Sequence, residues 1–251
     1  MRFFCIPLSS EKLYANLLTC ISCFLFQQSM KTKGSVQQSG VKGKRTQTDA
    51  LKLILKWDAY ITDVIVRVIS KYLPLRTFKK YYKGLEYSCH GVVWLASWLA
   101  MLWILWQPSL FQMQVNFFIG LITDIIFIAL IKSFVRRKRP AANQPDTFTI
   151  GPDKYSFPSG HVSRAVYISL FFIHLYPLPT IFWMPLLSWA SGVAASRILL
   201  HRHYLLDVLG GAGVGLVNSL LVYILWVGPD TASWLVRWIS EERIDGELDN
   251  S

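Results

Sequence analysis

The stretch VNFFIGLITDIIFIALIKSF, Val115–Phe134, carries one acid, Asp124, and one base, Lys132, in a run that is otherwise mostly apolar. A helix rises about 1.5 Å per residue and the hydrocarbon layer of a bilayer is about 30 Å thick, so a run of about 20 residues crosses it. Four further apolar runs flank this one: Gly91–Trp106, Val162–Tyr176, Ile181–Leu200 and Val208–Val227. The first and the third in chain order are short, and tilt or flanking residues must complete them. Trp103, Trp106, Trp183, Trp226 and Trp234 fall near the ends of runs, where indole prefers the interface. With 53% hydrophobic residues and a mean hydropathy of +0.35, the composition is too apolar for an ordinary soluble domain. The expected fold is all-α: a polytopic helical membrane protein of about five transmembrane helices in a bundle, with its active site at one membrane face.

Outward from the runs the chain divides into four regions. Residues 1–49 are basic and expected to be disordered, with the moderately apolar Leu13–Phe26 readable as an interfacial helix or a marginal span. Residues 50–90 form an amphipathic, interfacial segment, because Lys52, Lys56, Asp58, Asp63 and Arg67 are too many charges for a face against lipid. Residues 91–235 are the transmembrane domain, and 236–251 an acidic tail. The net charge of +11 is read as the positive-inside bias of membrane loops; no nucleic-acid-binding fold is recognisable and no nucleic-acid partner is expected. Cys20 and Cys23 have CxxC spacing but no second pair or histidine set to complete a zinc site. The run Gly210–Gly215 lacks a preceding strand and the dinucleotide spacing, so it reads as a close helix-packing face.

Several polar residues do not suit lipid. Lys132 is followed seven residues later by Arg139 and then Pro140, a spacing that keeps both cations on one helical face for as long as the helix persists. Arg136, Arg137 and Lys138 between them read as ordinary interfacial charges. Pro158-Ser159-Gly160-His161 sits at the mouth of the third run, where a capped helix start is the plain reading. After the fourth run come Ser196-Arg197, then His203, then Asp207. At helical spacing Asp207 is one turn from His203 and within reach of its Nδ1, which leaves Nε2 as a nucleophile or base. With five crossings these three segments emerge on one side. Lys132, Arg139 and Arg197 then form a cradle suited to phosphate oxygens, and the Ser159–Gly160 turn adds donors at a helix start. No carboxylate set suited to a metal accompanies them, so the chemistry is expected to need no metal and no cofactor. Asp124 lies too far along its helix to pair with Lys132 and reads as a polar packing residue; His201 and His174 read as peripheral.

K-x6-RP from Lys132, PSGH from Pro158, and SR-x5-H-x3-D from Ser196 resemble the three-part signature of the type-2 phosphatidic acid phosphatase superfamily. The surrounding text, KSFVRRKRPAANQPD, DKYSFPSGH and SRILLHRHYLLD, is similar to its polyisoprenoid (presqualene) diphosphate phosphatase branch. The resemblance covers roughly residues 50–235 and implies a lipid phosphatase acting through a phosphohistidine. His203 would be the nucleophile, Asp207 its orienting partner, and His161 the acid and then the base. Lys132, Arg139, Ser159, Gly160 and Arg197 would bind phosphate. The implied substrates are isoprenoid diphosphates or monophosphates such as presqualene, farnesyl or geranylgeranyl diphosphate. Glycerolipid or sphingoid phosphates, or a catalytically silent membrane scaffold, are the alternatives. The expected partners are a lipid phosphate or diphosphate and the bilayer; oligomeric state is not legible. The branch implies an endoplasmic reticulum location, with the nuclear envelope as an alternative. Residues 1–90 hold 15 Lys/Arg against 5 Asp/Glu, which places the N-terminus and the active site in the cytosol.

Overall fold

The computed structural model describes residues 49–72, 75–140 and 154–248. Leu13–Phe26, the Cys20–Cys23 pair and the basic linker lie outside the described residues. The described chain is helical: α1 Asp49–Tyr72, α2 Leu75–Ser88, α3 Gly91–Ile104, α4 Pro108–Val135, α5 Gly160–Leu170, α6 Trp183–Leu199, α7 Leu205–Ile224 and α8 Pro229–Leu248. A π turn, Phe171–Leu175, prolongs α5, and a 3₁₀ turn, Thr180–Phe182, leads into α6. Among the described residues the extended pairing is one isolated bridge, Lys138 with Tyr155.

Each of the five apolar runs forms a helix. Two helices, α4 with 28 residues and α7 with 20, are long and apolar enough to cross a membrane by themselves. Residues Lys80–Ser88 of α2 and α3 together make a third such length, bent by 53° at the break. The other two, α5 and α6, have 11 and 17 residues.

Helix α4 shows how the quoted stretch sorts its faces. Pro108 opens it at a position where no backbone N–H is required. Gly120, Asp124, Ile128 and Lys132 recur every four residues on the buried side. Ile122, Ile126, Leu130 and Phe134 recur with the same period on the exposed side. The two rows are offset by two residues, about 200° around a helix, so one faces the bundle and the other is the lipid face.

Helix α5 is the centre of the bundle and packs against α4, α6 and α7. Water-driven apolar association is weak between helices in lipid, so close backbone contact and buried hydrogen bonds must hold the bundle. Both are present. Gly211 and Gly215 of α7 lie under the carbonyl oxygens of Ser159 and Ser163: a Cβ at either would sit 2.4 Å from oxygen. The glycine run is therefore a packing face, as its composition suggests. Asn218 of α7 donates to the Gly120 carbonyl at 2.8 Å and accepts from Thr123 Oγ1 at 2.7 Å. Asp124 accepts from Ser163 Oγ and pairs with Arg164 Nη2 at 3.1 Å. Arg164 Nη1 donates to the Cys89 carbonyl at 2.9 Å, which ties α4 and α5 to the α2–α3 turn. Asp124 is thus a structural counter-ion inside the bundle. At the end away from the motifs, Trp98, Phe117, Tyr167 and Phe171 form an aromatic core.

Gly215→Ala and Gly211→Ala should each destabilise the bundle by about 1–3 kcal/mol through overpacking. Gly213, two residues from each and with nothing within 4 Å of an added Cβ, is the internal control. Its Ala variant should unfold at or above the wild-type temperature in detergent; equal losses at all three positions would remove the packing account.

Candidate active site

The α7 start is assembled by α1. The first backbone N–H groups of a helix have no partner within the helix. Leu205 N donates to Thr62 Oγ1 and Leu206 N to Asp58 Oδ1, both at 3.0 Å. Tyr204 N donates to Asp207 Oδ2 at 2.8 Å, so α7 is capped by its own third residue and by a separate helix. Asp58, Thr62 and Val66, one turn apart, are the buried stripe of α1. Asp58, read from its sequence as a surface charge, is in fact a buried cap, because it meets α7 rather than water.

Arg137 completes this corner. Its Nη1 lies 2.8 Å from Asp207 Oδ1 and its Nη2 2.5 Å from Asp58 Oδ2, while its guanidinium stacks 4.2 Å from the Tyr204 ring centroid. With a side chain 11% exposed, it is not the interfacial charge expected from sequence. Its neighbours Arg136 and Lys138 are exposed, as expected.

His203 precedes α7 in a short turn that begins with His201 at φ 52 and is tied back to the Arg197 carbonyl. The expected hydrogen bond from its Nδ1 to Asp207 is not made: Asp207 Oδ2 is 3.8 Å away. The carbonyl of Ser156 takes that place at 2.8 Å. Histidine and aspartate do not share a helix, so the four-residue spacing does not bring them into contact. A carbonyl can only accept, so Nδ1 carries the proton and Nε2 keeps its lone pair. Ser156 is itself held by Arg137 O at 2.8 Å and Lys138 O at 3.1 Å. Burial, together with the charges of Arg139 and Lys132, lowers the His203 pKa to about 4 against the opposing pull of Asp207. The ring is neutral near pH 7.

The PSGH turn is set against the same corner, with Ser159 N donating to the Asp207 carbonyl at 3.0 Å. Ser159 occupies the N-cap position of α5, yet its hydroxyl makes no capping bond. The plain reading of this residue as a helix cap is therefore incomplete. Ser159 Oγ and His161 Nε2 are buried without a hydrogen-bond partner among the described residues.

The cations arrive from two other helices. Lys132 is buried in the last turn of α4. That helix ends at Val135, with Arg136 left-handed at φ 51, so Arg139 lies beyond it. The two cations do not share a helical face; a turn and an extended segment place Arg139 instead. Arg197, in the last turn of α6 and 1% exposed, donates from Nη1 to Glu86 Oε1 at 2.8 Å. Its Nη2 is buried without a partner among the described residues. Ser159 N bonds the Asp207 carbonyl and Arg137 the Asp207 carboxylate, so the three motif segments do meet. Sequence reasoning missed Asp58, Arg137, Ser156 and Glu86. The Asp58–Thr62–Val66 stripe was the one available signal, since its residues share one face of an amphipathic helix.

Arg137→Ala should leave Asp58 and Asp207 buried without a counter-charge, at a cost of about 3–5 kcal/mol. Lys138→Ala, exposed beside it, should cost less than about 0.5 kcal/mol. Thermal unfolding of the purified variants checks this, and matching curves for the two would refute the clamp.

Residues 113–228 match the model of the PAP2 superfamily. The "Probable lipid phosphate phosphatase beta" of Arabidopsis thaliana is 35% identical over 141 residues, 45% of this chain. The chain spans 66% of that relative's length, just under two thirds. The crystal structure of a transmembrane PAP2-type phosphatidylglycerolphosphate phosphatase from Bacillus subtilis aligns with a TM-score of 0.54 at 21% identity. That alignment covers 71% of this chain and 87% of the other. LpxE from Aquifex aeolicus aligns at a TM-score of 0.49 and 20% identity, over 63% and 92% of the two chains. The fold is that of the transmembrane PAP2 proteins, and residues 113–228 carry the similarity to the PAP2 superfamily.

Proposed function

We propose that the protein is a membrane lipid phosphatase that hydrolyses isoprenoid diphosphates and monophosphates through a phosphohistidine, without a metal. The observation that carries this reading is a set of three buried polar atoms with no partner among the described residues. They are Ser159 Oγ and His161 Nε2 from the PSGH segment and Arg197 Nη2 from the segment that ends at Asp207. Buried donors are normally satisfied, so atoms left over in one corner of a bundle suit a polar ligand. A phosphate, with its several acceptor oxygens, matches that chemistry.

In the proposed reaction His203 Nε2 attacks phosphorus in line as the bond from phosphorus to the leaving oxygen breaks. His161 gives its proton to that oxygen. Water then attacks the phosphohistidine, His161 takes the water's proton, and the P–N bond breaks to release inorganic phosphate and His203. For a diphosphate the first leaving group is the lipid monophosphate, which can return for a second round. Lys132, Arg139, Arg197 and the Ser159–Gly160 turn offset the charge on the equatorial oxygens, which is the main task in phosphoryl transfer. Asp207 acts on His203 by its charge at 3.8 Å and through the Arg137 corner and the Ser159 backbone, without the expected hydrogen bond. The isoprenoid preference rests on the text around the motifs. The glycerolipid alternative is supported by the "lipid phosphate" in the relative's name. The N-terminal charge excess supports a cytosolic site on the endoplasmic reticulum.

Phosphate release in EDTA from farnesyl, geranylgeranyl and presqualene diphosphates, beside phosphatidic acid and sphingosine phosphate, tests the reading. The isoprenoid diphosphates should be hydrolysed fastest, and His203→Ala should abolish release while the protein remains membrane-inserted. Full activity of that variant, or a strict need for Mg²⁺, would sink the mechanism; faster hydrolysis of phosphatidic acid would replace the substrate.

The scheme needs His203 neutral and His161 protonated in the first step, so kcat/KM should be bell-shaped in pH. Because His203 has a pKa of about 4, the acid limb should fall only as the pH drops towards that value. The alkaline limb follows loss of the His161 proton. An acid limb centred near 6.5, the value of an unperturbed imidazole, would contradict the buried, neutral His203.

A further inference from the structure

We propose that Glu86, on α2 and outside the matched segment 113–228, is the positioning residue that aims Arg197 at the phosphate. The inference rests on the phosphatase reading above and adds a residue to it. A guanidinium is planar, so holding two of its nitrogens fixes the direction of the third. In Arg197 the Nη1 is held by Glu86 Oε1 at 2.8 Å and Nε lies 3.3 Å from Ser196 Oγ. Only Nη2 is left, buried and without a partner among the described residues. A cation 1% exposed also requires a counter-charge when no phosphate is bound. Glu86, with a side chain 15% exposed, supplies it.

The α2–α3 turn that carries Glu86 is fastened to the site at several points. Cys89 Sγ donates to the His161 carbonyl at 3.0 Å, and Arg164 Nη1 donates to the Cys89 carbonyl at 2.9 Å. The Ser88 carbonyl accepts from Trp94 Nε1 at 2.7 Å, and its hydroxyl accepts from Trp189 Nε1 of α6 at 3.0 Å. The carboxylate is therefore carried beside a turn whose Cys89 thiol bonds to the His161 carbonyl. Arg202 and Arg139 add their charges around it, so Glu86 lies among the site cations without being one of the phosphate donors.

The test separates aiming from a merely structural contact. Glu86→Ala should lower kcat/KM by about 10- to 100-fold, the usual effect of removing a partner that orients a site residue. Glu86→Gln keeps the acceptor oxygen and should recover most of the loss. If Glu86 acts through Arg197, the double variant Glu86→Ala/Arg197→Ala should be no slower than Arg197→Ala alone. Additive losses, or a Gln variant as slow as Ala, would overturn the proposal. If the Ala variant does not fold, Glu86→Asp tests the same point. It keeps the charge but falls short of Arg197, and wild-type activity in it would count against the proposal. Protection of the protein by orthophosphate against thermal unfolding gives a readout without turnover. Protection lost in Glu86→Ala and kept in Glu86→Gln supports the assignment, and equal protection in all forms refutes it. A wild-type protein inert towards every lipid phosphate would refute the phosphatase reading, and orthophosphate protection would still decide the role of Glu86.

Discussion

One guanidinium between two carboxylates organises the active-site end of this protein. Arg137 reaches Asp58 on α1 and Asp207 on α7 at once, and lies on the Tyr204 ring between them. Its own backbone accepts from Ser156, whose carbonyl in turn receives the His203 proton. Segments distant in sequence are thereby joined by a single residue, through its side chain and its backbone. A buried ion pair gains little net energy once desolvation is counted, so its value here lies in geometry. Both carboxylates also sit at the start of α7, where the helix dipole favours negative charge.

The same pairing recurs across the described residues. Asp124 answers Arg164, and Glu86 answers Arg197. Arg137, Arg164 and Arg197 each have an acid from another segment, so the pairs hold the bundle together while neutralising it. The distinction between them is what remains unspent. Both terminal nitrogens of Arg137 are committed to acids, and those of Arg164 to Asp124 and a backbone carbonyl. Arg197 keeps one terminal nitrogen without a partner, beside the equally unpartnered Ser159 hydroxyl and His161 Nε2. Buried polar groups are normally satisfied, so these atoms suit the anion proposed above.

The helical character, the lipid face of α4 and the close contact of the glycine run were all legible in the sequence. Each depends on hydrophobic period or on residue size, and these act over one or two turns. The convergence of the motifs was also legible, because helices that alternate in direction must bring every second connection to the same end. Two local inferences did not survive. Arg139 does not continue the face of Lys132, because α4 stops at Val135, before Pro140 could stop it. Asp207 does not reach His203, because the histidine stands in a turn before α7 rather than on it.

Sequence by itself determined the class of fold, and it offered the motif end of the bundle and an anionic ligand as expectations. These follow from which residues are apolar, which are charged, and how far apart they stand. Only the tertiary structure decided which charges face one another. Asp58, Glu86 and Arg137 look like surface residues in a linear reading, because a charge beside an apolar run is normally solvated. Whether it meets water or an opposite charge on another helix depends on packing between segments that are 70 to more than 100 residues apart. That information is absent from local spacing, and it separates the arginine that binds α1 to α7 from the one left with an unpartnered nitrogen among the described residues.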